Sequence, residues 1–216
     1  MLALFVLLFD VYSWNALKDR VAALWGARPK LLGAAAVAFL FFIPQMLYWH
    51  EMTGSWLRYS YEGEDFIYWN KPKIADVLFD VQNGLLLYSP IVLFALIGMG
   101  MGWKQKRHHA PAMTFIFALA TYTFASWWAW WFGGAFGHRC YVEFYALLAL
   151  PMAGFYESAL RARRWVKISV LALALFLMYY GVKMSFLYSQ LPGPWDGWDW
   201  RWNWEKIWWV WSYLFK

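Results

Sequence analysis

The sequence predicts an all-α polytopic integral membrane protein with five to six transmembrane helices and additional interfacial helices. Hydrophobic residues make up 62% of the chain, aromatic residues 24% and charged residues only 15%, a composition far from that of a soluble domain. Apolar stretches of the length that a bilayer requires, roughly 17–25 residues, recur along the chain. The connections between them alternate between basic and mixed charge, as expected for opposite sides of a membrane.

The predicted spans follow one another along the chain. Five stretches have the length and composition of spans: 31–49, 84–103, 111–131, 141–159 and 168–188. The stretch 1–14 is short and contains Asp10, so we expect a partial span that resembles the last part of a longer helix. It has neither a basic start nor a small-residue cleavage site, so we do not interpret it as a signal peptide. Residues 15–30 carry cations and apolar residues at helical spacing, which predicts a surface helix that Pro29 ends.

The distribution of basic residues predicts the orientation of the chain. Most lysines and arginines lie in the connections 15–30, 104–109 and 160–167, where Asp19 is the one acid. The positive-inside rule places these connections in the cytoplasm and both termini outside it. The net charge of +6 is therefore an orientation signal. Because the basic residues do not share one soluble face, a nucleic-acid partner is not expected.

The two longest extracytoplasmic segments are the predicted loop 50–83 and the tryptophan-rich tail 189–216. A loop of this length is more often functional than idle. Within it, Glu62 and Asp65 are candidate general bases, because a carboxylate near an apolar wall has a raised pKa. The alternative is that both are solvated surface charges. In the tail, tryptophans at every second position predict an extended piece, and helical spacing from Glu205 onward predicts a short interfacial helix.

A glycine-rich loop between the spans 111–131 and 141–159 is the best functional candidate. Its candidate phosphate- or substrate-binding residues are Gly133, Gly134, Gly137, His138 and Arg139. The glycines allow close approach of the backbone to a ligand, and Arg139 supplies a forked, permanent cation. We expect the start of the following helix to direct further N–H donors at the same anion. The alternative is a tight turn in which Arg139 binds lipid head groups or Glu143.

The sequence predicts neither a metal site nor a cofactor. Four histidines, His50, His108, His109 and His138, are scattered without metal-ligand spacing on a shared helical face. The single cysteine, Cys140, has no partner for an internal disulfide. Its place before a helix start is compatible with a reactive thiol, but simple burial is the favoured interpretation.

Several short stretches occur in a characteristic order. They are Pro44-Gln45-Met46-Leu47-Tyr48-Trp49, Thr53-Gly54-Ser55-Trp56, Gly84-Leu85-Leu86-Leu87-Tyr88-Ser89-Pro90 and the loop from Trp131 to Tyr141. Together they resemble the distal, C-terminal half of bacterial multi-pass glycosyltransferases of the C type, a group that includes relatives of dolichyl-phosphate-mannose-protein mannosyltransferases. The resemblance covers roughly residues 30–160.

The resemblance implies sugar transfer from a polyprenyl-phosphate carrier on the outer face of the bacterial cytoplasmic (inner) membrane. The implied partners are the lipid bilayer and a polyprenyl-phosphate-linked sugar, with Gly133, Gly134, Gly137 and Arg139 on the family's glycine-arginine loop. The family's catalytic acid lies in a first external loop that has no counterpart here, so no catalytic residue is carried over. We therefore expect a membrane glycosyltransferase of this kind, or the C-terminal portion of one. The alternatives are a non-catalytic lipid-binding or assembly subunit and a transporter.

Overall fold

The structure is a computed structural model that describes residues 2–59, 61, 63–134, 136–189 and 203–215. This part of the chain is helical and contains no strand, which confirms the all-α prediction there. The helices are α1 Leu2–Leu8, α2 Trp14–Gly26, α3 Arg28–Thr53, α4 Ile74–Phe79, α5 Leu85–Tyr88, α6 Val92–Lys104, α7 Ala110–Ser126, the 3₁₀ helix Arg139–Phe144, α8 Tyr145–Leu160, α9 Arg164–Ser189 and α10 Trp204–Ser212. They form two compact units, Val11–Asp65 and the combination of Met1–Asp10 with Phe66–Lys216.

The unit Val11–Asp65 consists mainly of α2 and α3. Ser13 caps α2, because its side-chain oxygen accepts a hydrogen bond from the N–H of Ala16 at 3.2 Å. Only Ala27 separates the two helices, and Pro29 lies in the first turn of α3, where its missing N–H costs nothing. Gly54 ends α3 in the left-handed conformation at φ 74°. The predicted surface helix 15–30 thus corresponds to α2, and the predicted span 31–49 lies within α3.

In the larger unit, α6 and α8 cross at very short range. Gly98 of α6 lies directly against the backbone carbonyl of Pro151, so that a side chain at this position has no room. One turn earlier, the ring of Phe94 stacks on that of Phe155 with centroids 4.8 Å apart. Small residues let helices approach in this way, and the gain is dispersion contact along both helices.

An ion-pair network connects α6 and α8 at their cation-rich end, near Arg107 and Arg161. The carboxylate of Glu157 accepts from the guanidinium of Arg107 at 2.6 Å and from that of Arg161 at 2.7 Å. Arg107 also donates to the side-chain oxygen of Gln105 at 2.8 Å. The connection between α6 and α7 is therefore fixed to the end of α8, and two of the cations that predict orientation also have a structural role.

The N-terminal stretch forms a much shorter helix than the partial span predicted over 1–14. Helix α1 ends at Leu8, and Asp10 follows with a left-handed backbone at φ 62°. The N–H of Asp10 donates to the carbonyl of His108 at 2.6 Å, and its carboxylate lies 3.0 Å from Nδ1 of the same histidine. Seven helical residues are too few to cross a bilayer. In this structure the stretch docks beside the start of α7.

Two helices of the described chain, α3 and α9, are long and apolar enough to cross a membrane, judged by length and composition. The other predicted spans fall on shorter or interrupted helices. The stretch 84–103 is divided between α5 and α6, 111–131 is helical only to Ser126, and 141–159 begins as a 3₁₀ helix. Two helices with the character of spans support a membrane location, and the larger number of spans stays a prediction.

The described end of the chain packs against α9. Asn203 caps α10 by accepting from the N–H of Lys206 at 3.0 Å. Ile207 and Val210 of α10 are buried against Met184 and Leu187 of α9. The predicted short helix from Glu205 thus has a counterpart in α10, whereas the extended piece predicted before it lies outside the described residues.

Gly98→Ala is expected to destabilise the protein by roughly 1–3 kcal/mol, because the added methyl group overlaps the Pro151 carbonyl and forces α6 from α8. Gly100→Ala is the matched control, since a Cβ there meets nothing within 4 Å. Alanine there is expected to be neutral or stabilising by up to about 1 kcal/mol. Thermal unfolding in detergent measures both. Equal stability of the two variants would show that the close crossing is wrong.

Candidate anion-binding site

The segment 127–138 joins α7 to the 3₁₀ helix and reverses direction through left-handed backbone conformations. These occur at Phe132 with φ 51°, Gly133 with φ 86° and Gly137 with φ 70°. Glycine adopts such angles at little cost, whereas Phe132 is strained there. The two glycines are therefore required by the path of the loop, independently of any ligand.

The side chain of Asn83 holds the first half of this loop through hydrogen bonds. Its side-chain Nδ2 donates to the carbonyls of Trp131 at 2.9 Å and Gly133 at 2.8 Å. Asn83 is 1% exposed and has φ 67°, and its side-chain Nδ2 makes both of these contacts. In the sequence, Asn83 lies just before the predicted span 84–103. The hydrogen bond from Asn83 to Trp131 joins residues 48 positions apart, and no pattern in the sequence predicts it.

His138 holds the loop through a third carbonyl. Its Nε2 lies 3.0 Å from the carbonyl oxygen of Trp130, which accepts a hydrogen bond, so Nε2 carries the proton. The ring is 3% exposed and packs edge-on against Tyr141 with centroids 4.9 Å apart. Burial lowers the pKa of His138 to about 4, so the ring is neutral at pH 7. It faces the interior, and its predicted contact with a ligand stays a prediction.

Two tyrosines from other helices hold the second half of the loop. The hydroxyl of Tyr188, near the end of α9, donates to the carbonyl of Gly134. A Cβ on Gly137 would lie 3.2 Å from the Cβ of Tyr88 in α5. Phe136 packs edge-on against Tyr88, with centroids 5.2 Å apart. The glycine at 137 therefore permits the close approach of α5, and α5 and α9 together fix the loop.

The carbonyls and amides of the loop differ in their partners. Side chains donate to the carbonyls of Trp130, Trp131, Gly133 and Gly134. Within the described part of the chain, by contrast, the N–H groups of Gly133, Gly134 and Gly137 donate to no protein acceptor. Gly133 and Gly134 are half-buried whereas Gly137 is buried, so the amides of the first two glycines are the ones suited to an anion.

Arg139 is exposed and begins the 3₁₀ helix. Its guanidinium Nη2 lies 3.9 Å from the position that a Cβ on Gly133 would occupy, so the cation extends back over the start of the glycine loop. Helix α8 begins only at Tyr145, and the 3₁₀ helix separates it from Arg139. Any anion here therefore depends on Arg139 and the loop amides, with little help from the dipole of α8.

The other sequence candidates are two carboxylates and a thiol. Asp65 is exposed and belongs to the unit Val11–Asp65, and Glu62 lies outside the described residues. Cys140 is half-buried, and burial raises its pKa to about 11, which keeps it a thiol at neutral pH. In the described part of the chain, no three His, Cys, Asp or Glu residues are placed to hold a metal ion.

Comparison with protein-family profiles, with curated proteins and with solved structures gives no match for this chain. We therefore infer function from the chemistry of the loop and from the sequence resemblance. The groups of the loop are suited to binding a ligand. The described loop presents peptide N–H donors and one permanent cation, and its neutral histidine and protonated thiol are not poised for proton transfer near pH 7.

Asn83→Asp is expected to destabilise the protein by roughly 2–4 kcal/mol, because a buried carboxylate would face the carbonyls of Trp131 and Gly133 in place of the donor. Asn70→Asp is the control, since it makes the same change at an exposed site. Chemical unfolding in detergent gives the free energies, and protease cleavage within 127–138 reports loosening of the loop. The same small effect in both variants would contradict the role assigned to Asn83.

Stability is expected to fall as the pH drops from 6.5 towards 4. The pKa of His138 is lowered from 6.5 when unfolded to about 4 when folded, so the unfolded chain binds the proton more tightly. The contribution is fully present above pH 6.5 and amounts to up to roughly 3 kcal/mol. His138→Gln keeps a donor for Trp130 without titrating, and should remove this part of the pH dependence. An unchanged acid limb in that variant would assign the dependence to other groups.

Proposed function

We propose that this chain is a bacterial inner-membrane glycosyltransferase, or the C-terminal portion of one, acting on a polyprenyl-phosphate-linked sugar. In this proposal the loop Gly133–Arg139 binds the phosphate of the carrier on the extracytoplasmic face. The observation that carries the proposal is the combination of N–H groups without acceptors and the Arg139 guanidinium over Gly133. Amides and a forked cation together are the donors that suit a phosphate.

The apolar surface of the helices supports the membrane part of the proposal. None of the residues of α3 is buried, and large side chains such as Leu32 and Phe41 are 69% and 82% exposed. Exposing a continuous apolar surface of this kind to water is unfavourable, whereas contact with lipid acyl chains is not. Helix α9 has the same length and a similar apolar composition. We extend the proposal to five spans by including the shorter helices α6, α7 and α8, and to six with the partial span predicted over 1–14.

In the proposed reaction, an acceptor hydroxyl oxygen forms a bond to the anomeric carbon of the sugar. The bond from that carbon to the phosphate oxygen breaks, and the carrier phosphate leaves with the electron pair. Arg139 and the loop amides stabilise the charge that develops on this phosphate. An external carboxylate takes the hydroxyl proton, and Glu62 and Asp65 are the candidates in this chain.

A non-catalytic lipid-phosphate-binding subunit is the second candidate function. It is favoured by the same loop, because Arg139 and the amides bind an anion without needing a base. A transporter would need polar side chains within the membrane, and the candidates are Asp10, Gln45 and the cluster Asp80–Asn83. Three of these residues already have partners. Asp10 pairs with His108, Asp80 accepts from the N–H of Gln82 at 2.7 Å, and Asn83 holds the loop.

Arg139→Ala is expected to lower the affinity for a radiolabelled polyprenyl-phosphate-linked sugar roughly 10- to 100-fold. The loss of a charge-assisted, forked hydrogen bond accounts for this change. Arg139→Lys should retain part of the affinity, because lysine supplies the charge without the fork. Lys71→Ala, which removes an exposed cation elsewhere in the same unit, is the control. Binding is measured on membranes that contain the full chain. A cooperative unfolding transition of each variant confirms that the variant is folded.

Transfer of the labelled sugar to acceptor by the same membranes distinguishes the two candidate functions. Binding and transfer that both require Arg139 support the glycosyltransferase. Binding that requires Arg139 without any transfer assigns the chain to the non-catalytic class. Unchanged binding in Arg139→Ala overturns the phosphate site and both functions that depend on it.

A further inference from the structure

Helix α2 has an apolar side that the structure leaves uncovered. At about 100° per residue, five positions share this side: Trp14, Leu17, Val21, Leu24 and Trp25. None of the residues of α2 is buried, and the two tryptophans are 67% and 70% exposed. A helix with an apolar stripe on one side normally buries it against a partner. The stripe on α2 therefore requires an occupant.

The charges of α2 are arranged around this stripe. Lys18 and Arg20 follow its two borders, while Asp19 lies on the far side of the helix. The ammonium of Lys18 lies 5.8 Å from the centre of the Trp14 ring. The guanidinium of Arg28, at the start of α3, lies 5.5 Å from the Trp25 ring. Cations and indole rings thus occur together at both ends of the stripe.

This arrangement matches the headgroup region of a membrane with negative charge. Tryptophan prefers that region, and long basic side chains place their stems along apolar surface while the charge reaches the phosphates. The exposed cations Lys18, Arg28 and Lys30 outnumber the single acid Asp19, so charge complementarity favours an anionic surface over a neutral one. Because α3 follows after one residue, the stripe lies beside the end of an apolar helix of span length.

We propose that α2, with Arg28 and Lys30 at the start of α3, is a docking surface for anionic phospholipid head groups. The stripe enters the interface, and the flanking cations bind lipid phosphates. This proposal rests on the membrane location of α3 and is independent of sugar transfer. Each cation near an anionic surface contributes about fivefold to the partition.

Hydrogen exchange of the full chain in lipid nanodiscs tests the proposal. One set of nanodiscs contains phosphatidylcholine alone, and the other contains about one third phosphatidylglycerol. In the unmodified chain, the anionic lipid should slow exchange of the amides of α2 at least tenfold. The variant K18Q/R20Q/R28Q/K30Q should lose this slowing. The variant K104Q/K106Q/R163Q/R164Q removes the same charge at exposed sites in other connections and should retain it.

Three outcomes would overturn the proposal. Equal protection of α2 in both lipids would show that apolar area alone holds the helix. Equal loss in the two variants would show that total charge, not the α2 surface, recruits the lipid. Protection that rises with the number of chains per nanodisc would assign the stripe to a second copy. None of these results depends on sugar transfer, so the proposed function is tested separately.

Discussion

The backbone carbonyls of the loop after α7 need hydrogen-bond donors, and the arrangement around the candidate site supplies them. An irregular segment among apolar helices cannot satisfy these groups with its own secondary structure, and leaving them unpaired is costly. The donors come from the loop itself and from two distant places in the chain: His138 lies within the loop, Asn83 before α5 and Tyr188 in α9. The loop is thus held by the bundle around it, and its shape depends on residues that need not touch any ligand.

The choice of donors also determines the electrostatics of the loop. Asn83 and Tyr188 are neutral donors, and burial keeps His138 neutral at pH 7. The buried donors of the loop therefore carry no positive charge, and the exposed Arg139 supplies the cation. A protonated His138 would strengthen binding of an anion, but burial of its charge would destabilise the folded protein. The neutral interior and the exposed Arg139 are compatible with the proposed binding of a phosphate at this loop.

Sequence patterns predicted the parts of the fold that depend on local composition. The apolar runs predicted the helices α3 and α9, and the glycines predicted a loop between two helices, in which Gly133 and Gly137 have left-handed backbone angles. Two features escaped prediction for physical reasons. Hydropathy counts apolar residues and ignores continuity of the helix, so it did not separate α5 from α6 at Ser89-Pro90. Asn83 was not assigned to the loop because side-chain partners far apart in sequence leave no periodic signal.

The basic residues show why charge counts alone do not reveal function. The positive-inside rule treats every cation in a connection alike, because it concerns insertion across the membrane. In the folded chain these cations have different roles. Arg107 and Arg161 bind Glu157 and fasten the end of α8, while Lys18 and Arg28 lie over tryptophan rings beside an uncovered stripe. A cation paired with a carboxylate has little charge left for a lipid, whereas one over an exposed indole retains it. The paired arginines therefore stabilise the fold, whereas Lys18 and Arg28 are placed for the proposed contact with anionic lipid.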